Sequence, residues 1–452
     1  MVIAALSVYV LIQLGIAAWA GRQTADADDY LVAGRSLGRW QVAMSIFATW
    51  FAAETVIATS AEVAQDGLAG ARVEPLGYGL GIVALALLVA TALRKGGHMT
   101  LAGYLSSRFG PTMRTAASII IGIGAVLWAG AQLNALAVII SGASALPFMG
   151  ALIISVALVL AYTWLGGLKG DVATDVLQGG VIILSLLILL FLLINHVGGL
   201  NAAIAAIPPE AFAFQLPDET WLERAELWLL PIIGTLVAQE AISRVLAAKS
   251  PQVAREGALL GAGIYLTVGF IPVALGLIGQ GSGLPLADGD AYFTSLAESL
   301  LPVWLFVIVS GALISAILSS VDSALLSVSA VTTETVLSQI KSTVADTSGL
   351  KSARLATTAA AFVAAIIAAS GESLRDIVLT AEGIAGLSLI PLLAGLFIGP
   401  SARLAALSAL SVAFAGMVAF DWIWGVPGAF LYAQAAGAAV FTVVLIATRR
   451  LA

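Results

Sequence analysis

Apolar positions along this chain fall in runs of roughly 20 residues separated by short polar segments, and a helix needs about that length to cross the ~30 Å core of a bilayer. The runs lie near residues 1–20, 38–62, 75–94, 115–142, 149–166, 173–195, 226–247, 256–280, 302–337, 353–370, 376–398, 402–420 and 427–448, and predict thirteen transmembrane helices. The ten-residue alternation of a membrane β-barrel does not occur. One run departs from the others. Between 302 and 337, Ser315, Ser319, Ser323 and Ser327 recur every four residues, and Asp322 follows Ser319 by three. Residues three and four apart are neighbours on a helix, so these side chains form one polar stripe. Hydroxyls and a carboxylate at membrane depth are costly unless they meet an ion, a solute or another helix. Small residues at the same spacing also suit close helix packing, and the stripe alone does not separate the two readings.

Composition agrees with the pattern. Hydrophobic residues make up 60% of the chain and charged residues 10%, with a mean hydropathy of +1.04. A soluble domain carries about a quarter charged residues, so this is an all-α integral membrane protein, a single transmembrane domain over 1–452. Ala18–Trp19–Ala20 resembles a signal-peptide cleavage site, yet nothing positive precedes the first apolar run and Arg22 follows it, which favours a retained span. With thirteen passes and the N-terminus outside, only Arg72, Arg224 and Arg375 of the 20 Lys and Arg residues fall in outer loops. The other 17 fall on the inner side, as cytoplasmic loops require, which leaves the C-terminus cytoplasmic. Cysteine is absent, which excludes disulfides and thiol chemistry. His98 and His196 sit in loops, and no phosphate-cradling GxxxxGK[ST] segment occurs. Transport driven by an ion gradient, or passive conduction, is left.

Five acids lie in or at the edge of the runs: Glu54, Asp175, Glu240, Asp322 and Glu382. Asp175 and Asp322 have polar companions at fitting spacing and read as functional. Glu240 reads as a structural partner of Arg244 one turn later, and Glu382 as a helix-end residue reaching water or a paired structural charge. The run 226–247 contains Pro231 and Gly234, which predicts either a broken helix with free backbone dipoles or a plain proline kink. The segment Ala48–Thr49–Trp50–Phe51–Ala52–Ala53–Glu54–Thr55 has neither glycine nor proline, and its residues predict no break.

The runs Tyr162–Thr163–Trp164–Leu165–Gly166–Gly167–Leu168, Thr174–Asp175–Val176–Leu177–Gln178 and Ser319–Ser320–Val321–Asp322–Ser323–Ala324–Leu325, with Gly34–Arg35–Ser36–Leu37, resemble hallmarks of the sodium/solute symporter family. The likeness covers nearly the whole chain. Ala48–Thr49–Trp50 and Gln239 with Ser243–Arg244–Val245–Leu246 are similar to the branch containing the high-affinity choline transporter. The resemblance implies a five-plus-five inverted repeat of leucine-transporter type, with 38–195 and 226–398 as the repeats, 1–20 as an extra N-terminal helix and 402–448 as two extra C-terminal helices. It implies Na+ between the second and ninth spans, held by the carbonyls of Ala48, Phe51 and Ala316 and the hydroxyls of Ser319 and Ser320. A second sodium or proton site would use Asp175, Ser319, Asp322 and Ser323. The solute pocket implied by the likeness involves the aromatic residues Trp50, Tyr78 and Trp128, with Thr55, Gln132 and Gln239 as hydrogen-bonding groups. Where the choline branch carries a further tryptophan this chain has Ala238, and where relatives often have glycine it has Ala52 and Ala53.

The reading is therefore a sodium-coupled symporter, not an enzyme, importing a small organic solute across a bacterial-type inner (plasma) membrane. The bilayer is its surroundings, no nucleic acid is a partner, and its oligomeric state is left open. The rivals are a proton-coupled carrier of the same fold working through Asp175 or Asp322, a channel, and a membrane solute sensor.

Overall fold

The computed structural model describes residues 2–22, 24–52, 54–144, 146–339, 347–371 and 374–451. Helices account for nearly all of it, as expected where lipid leaves every backbone group to be satisfied within its own segment. In chain order they are α1 Val2–Gly21, the short α2 Ala27–Val32, α3 Arg39–Trp50, the kinked α4 Thr55–Gly96 and α5 Leu101–Phe109. Then come α6 Pro111–Ala143, α7 Phe148–His196, α8 Trp221–Val237, α9 Gln239–Ala247 and α10 Pro251–Gly279. The remainder are α11 Val303–Gln339, α12 Thr347–Ala368, α13 Leu374–Phe397, α14 Pro400–Ile423 and α15 Ala429–Leu451.

Among the described residues nine helices are long and apolar enough to cross a membrane, or ten if the bent pair α8–α9 counts as one span. The helices thus divide differently from the sequence runs. The runs 149–166 and 173–195 both lie in α7, which has 49 residues and one non-helical residue, Gly167, at φ 52° and ψ −161°. Only glycine adopts that backbone freely. The Tyr162 hydroxyl meets the Thr174 hydroxyl, although a straight helix would hold those residues about 18 Å apart along its axis. The chain therefore turns back at Gly167, and α7 is a hairpin of two antiparallel limbs. In α4, Glu74 has extended backbone angles and interrupts the helix between the second and third apolar runs.

The interior is built where α3, α6, α7, α8, α10, α11 and α13 pack on one another. Close approach is possible because small residues stand at the crossings. A side chain at Gly257 would strike Val42, and one at Gly261 would strike the Ala43 carbonyl, so these glycines let α10 lie against α3. The C-terminal helices α14 and α15 pack chiefly on each other.

Candidate functional site

The α3 helix ends in the middle of the packed interior. Trp50 is its last residue, and Phe51 turns out of helical geometry at φ −88° and ψ 64°. A helix end leaves its last carbonyls without amide partners. Here hydroxyls answer for part of that deficit. Thr55 Oγ1 donates to the Trp50 carbonyl at 2.9 Å, and Ser320 Oγ, on α11, donates to the Thr49 carbonyl at 3.2 Å. The rings of Phe51 and Tyr265 meet edge to face, with centroids 6.0 Å apart. Tertiary partners hold this break, which explains why the local residues give no warning of it. Ala48, Phe51, Ala316, Ser319 and Ser320, the residues expected to hold sodium, are all buried.

A carboxylate cluster adjoins the break. Ser319 Oγ lies 2.6 Å from Asp175 Oδ1 and 2.9 Å from Asp171 Oδ1. Ser45 Oγ, on α3, donates to Asp175 Oδ2 at 2.6 Å, and Ser323 Oγ donates to Asp171 Oδ2 at 3.0 Å. The Arg244 guanidinium closes the cluster. Its Nη2 meets both Asp171 and Ser323, and its Nε donates to Ser45 Oγ at 3.2 Å. All of these groups are shut away from solvent. Asp322 is equally buried and stands in the same electrostatic neighbourhood as Asp171 and Asp175, with the Thr163 hydroxyl beside its carboxylate.

The expected pairing of Glu240 with Arg244 is corrected by this geometry. Arg244 forms its ion pair with Asp171, and it reaches Glu240 only at the backbone carbonyl, 3.3 Å from Nη1. The carboxylate left over by that choice lines a cavity. Trp50, Trp128, Ala238, Gln239, Glu240 and Glu382 are among the residues around a small space of about 20 Å3, room for roughly one water. The indoles of Trp50 and Trp128 stand 6.4 Å apart, tilted by 32°. The Trp50 indole N–H is held by Thr235 Oγ1 at 3.1 Å.

Three of the residues expected in the solute pocket meet at this cavity, namely Trp50, Trp128 and Gln239. The Gln239 amide is already engaged: its oxygen accepts from the Leu101 N–H at 2.9 Å and its nitrogen donates to Ser243 Oγ at 3.0 Å. Thr55 is spent on the helix break and on Tyr265. Tyr78 lines a separate cavity of about 270 Å3 with Thr59, Glu62 and Arg375, and Gln132 is buried away from both. The break expected at Pro231 and Gly234 falls elsewhere as well. Helix α8 runs through both residues to Val237, and the 40° bend to α9 comes at Ala238, whose ψ is 124°. Gly234 does something different: a side chain there would collide with the Glu382 carboxylate.

The sequence profile of the sodium:solute symporter family matches residues 30–424, nearly all of this bundle. The chain belongs to that family. It is 28% identical over 352 residues to the human high affinity choline transporter 1, covering 72% of this chain and 60% of that one. It is 27% identical over 371 residues to the high-affinity proline transporter PutP of Bacillus subtilis, covering 77% of each. The chain spans about 54% and 60% of the lengths of the Drosophila melanogaster and human choline transporters it matches. Among solved structures it is similar to a Na+-coupled sialic acid symporter captured substrate-bound and outward-open, with a TM-score of 0.86, coverage of 98% of this chain and 97% of that one, and 17% identity. At that identity the likeness speaks for the fold alone.

Three residues of the site escaped the sequence reading. Asp171 stood in what read as a loop, because Gly166, Gly167, Lys169 and Gly170 surround it. Its spacing of four from Asp175 was the available signal, since that puts both carboxylates on one helix face. Glu240 and Glu382 were read as structural, because nothing in either run shows that two such distant residues share a cavity.

Proposed function

We infer that this member of the family is a sodium-coupled symporter that moves a small organic solute by alternating access, in thirteen passes with an inverted five-plus-five repeat. The observation that carries this reading is the Ser320 hydroxyl bonded to the Thr49 carbonyl across the break in α3. It supports a cation site of Ala48, Phe51, Ala316, Ser319 and Ser320, formed only while α3 and α11 stay together. Because ion and solute cavity share the broken segment, with Thr49 and Trp50 lining the cavity, filling one site favours the geometry of the other. That shared segment is the source of coupling. A membrane potential of 100 mV contributes about 2.3 kcal/mol per charge moved fully across, so one sodium supports roughly 50-fold accumulation of a neutral solute from voltage alone.

The test is solute uptake into proteoliposomes with an imposed sodium gradient at fixed pH. Uptake that follows the sodium gradient supports the reading; uptake indifferent to sodium and driven by a proton gradient removes it. The proton reading has an observation of its own in the fully buried carboxylate of Asp322. Asp175, Ser319, Asp322 and Ser323 would then hold a proton or a second cation. Orientation with the N-terminus outside a bacterial-type inner membrane belongs to the same proposal, and rests on the distribution of Lys and Arg.

Trp50 supplies a ring face to the cavity and also belongs to the segment that ends α3. Trp50→Ala is expected to raise the apparent dissociation constant of the solute by roughly tenfold or more, while sodium still binds. Isothermal titration of the purified variant with solute and with NaCl measures both. Unaltered solute affinity would take Trp50 out of the pocket.

A further inference from the structure

The run Thr174–Asp175–Val176–Leu177–Gln178 ends on a glutamine that the carboxylate cluster does not engage. Gln178 is fully shut away from solvent. Among the described residues, neither the oxygen nor the nitrogen of its carboxamide has a hydrogen-bond partner. The same holds for the buried hydroxyl of Ser315, the first serine of the α11 stripe. Buried amides normally find partners, and lipid offers none at membrane depth. A carboxamide left open there is costly unless something else completes it.

Two hydrogen bonds fix where this amide stands. Asp171 meets Ser323, and Asp175 meets Ser319, so the second limb of α7 runs antiparallel to α11. Continued by one turn, that register brings Gln178 level with Ser315 and Ala316. Gln178 follows Asp175 by three residues and Asp171 by seven, which puts all three on the face of α7 that meets α11. The Cα–Cβ bond on a helix leans toward its N-terminal end, so the Gln178 side chain leans back toward Asp175 and Ser319. The next residue, Gly179, lies against α3, where a side chain would strike Met44 and Phe47. Gln178 therefore stands where α7 meets both α3 and α11, beside the stretches that carry Ala48 and Ala316.

We propose that the Gln178 carboxamide oxygen is a further ligand of the cation, contributed by a third helix. This deepens the symporter reading and rests on its cation site. Hard cations take carboxamide oxygens as they take backbone carbonyls. The oxygens of Ala48, Phe51, Ala316, Ser319 and Ser320 come from α3, its break and α11, and leave the α7 side open. An amide adds an oxygen there without adding to the buried charge of Asp171, Asp175 and Asp322. Gln178 lines neither the inner cavity nor the cavity around Tyr78, so its partner is small enough to sit among packed side chains. That excludes the organic solute and leaves an ion or a single water. Ligation by Gln178 would also tie the ion to the helix of Asp175, whose carboxylate accepts from Ser319. Loading the site would then reach the carboxylate cluster as well as the break in α3.

The experiment is thermal unfolding of the purified full chain and of Gln178→Leu, titrated with NaCl at constant total chloride made up with KCl. A bound ion raises the unfolding midpoint according to its concentration over its dissociation constant. Leucine keeps much of the side chain's bulk and has no polar atom. In KCl alone the variant is expected to unfold at the wild-type midpoint or above it, because an unpartnered buried amide has been removed. The NaCl concentration that gives half of the stabilisation should rise by roughly tenfold or more. A lower midpoint in KCl would show that packing or protein partners account for Gln178, and an unchanged sodium dependence would show that the amide holds a water only. Each overturns the proposal. A density map of the sodium-loaded wild-type protein needs no variant to fold: Gln178 Oε1 is expected on the ion at roughly 2.5 Å, and an amide turned away from it overturns the proposal. A wild-type protein no more stable in NaCl than in KCl would fault the cation site itself. A sodium-stabilised wild type beside an unaltered variant faults Gln178 alone.

Discussion

Ser319→Ala combined with Ser320→Ala is expected to raise the sodium concentration for half-maximal uptake by roughly 100-fold and to leave the protein folded. The estimate takes about 1.5 kcal/mol for each oxygen withdrawn from a charged partner, and each 1.4 kcal/mol is a tenfold change. The two hydroxyls do different things in the resting geometry. Ser320 bridges α11 to the Thr49 carbonyl, whereas Ser319 lies between Asp171 and Asp175. Ser320→Ala alone should therefore loosen the α3–α11 junction, while Ser319→Ala alone should disturb the carboxylates. Folding survives because both sites accept alanine without overpacking, in a helix whose neighbours on that face are already small. Sodium titration of uptake in proteoliposomes gives the first quantity and the unfolding midpoint in detergent gives the second. A double variant with ordinary sodium dependence would remove both serines from the cation site.

Arg244 and Asp171 give the second large effect. Both are completely buried, and breaking such a pair from one side leaves an uncompensated charge at membrane depth, at a cost of about 3–5 kcal/mol. Arg244→Gln or Asp171→Asn alone should lower the unfolding midpoint sharply. Made together they remove both charges, and most of the lost stability should return, the non-additivity expected of groups in direct contact. The comparison isolates the pair from the hydrogen bonds that Arg244 also makes to Ser45 and Ser323. A double variant no more stable than the weaker single one would show that those hydroxyl contacts, not the ion pair, are what Arg244 contributes.

The residues that were legible in advance share one physical property. Ser319, Ser320, Asp175 and Asp322 are polar groups inside apolar runs, and hydrocarbon makes such groups conspicuous. The pocket was less so. Trp50 and Trp128 meet at the cavity, but Tyr78, Thr55 and Gln132 point to other neighbours, because a motif gives a residue's place along its helix and not the wall it faces. Glu240 illustrates the limit. Its one-turn spacing from Arg244 is a sound local argument, yet Asp171, 73 residues away in sequence, takes the guanidinium.

The chain's own order of apolar and polar residues determined an all-helical membrane bundle and the helix that carries the serine stripe. These follow from the free energy of burying side chains in lipid, which acts on each segment separately. Tertiary contact decided where α3 breaks, where α8 gives way to α9, and which acid Arg244 neutralises. Those outcomes depend on hydroxyls, amides and charges brought in from distant segments, and such partners exist only once the helices have packed.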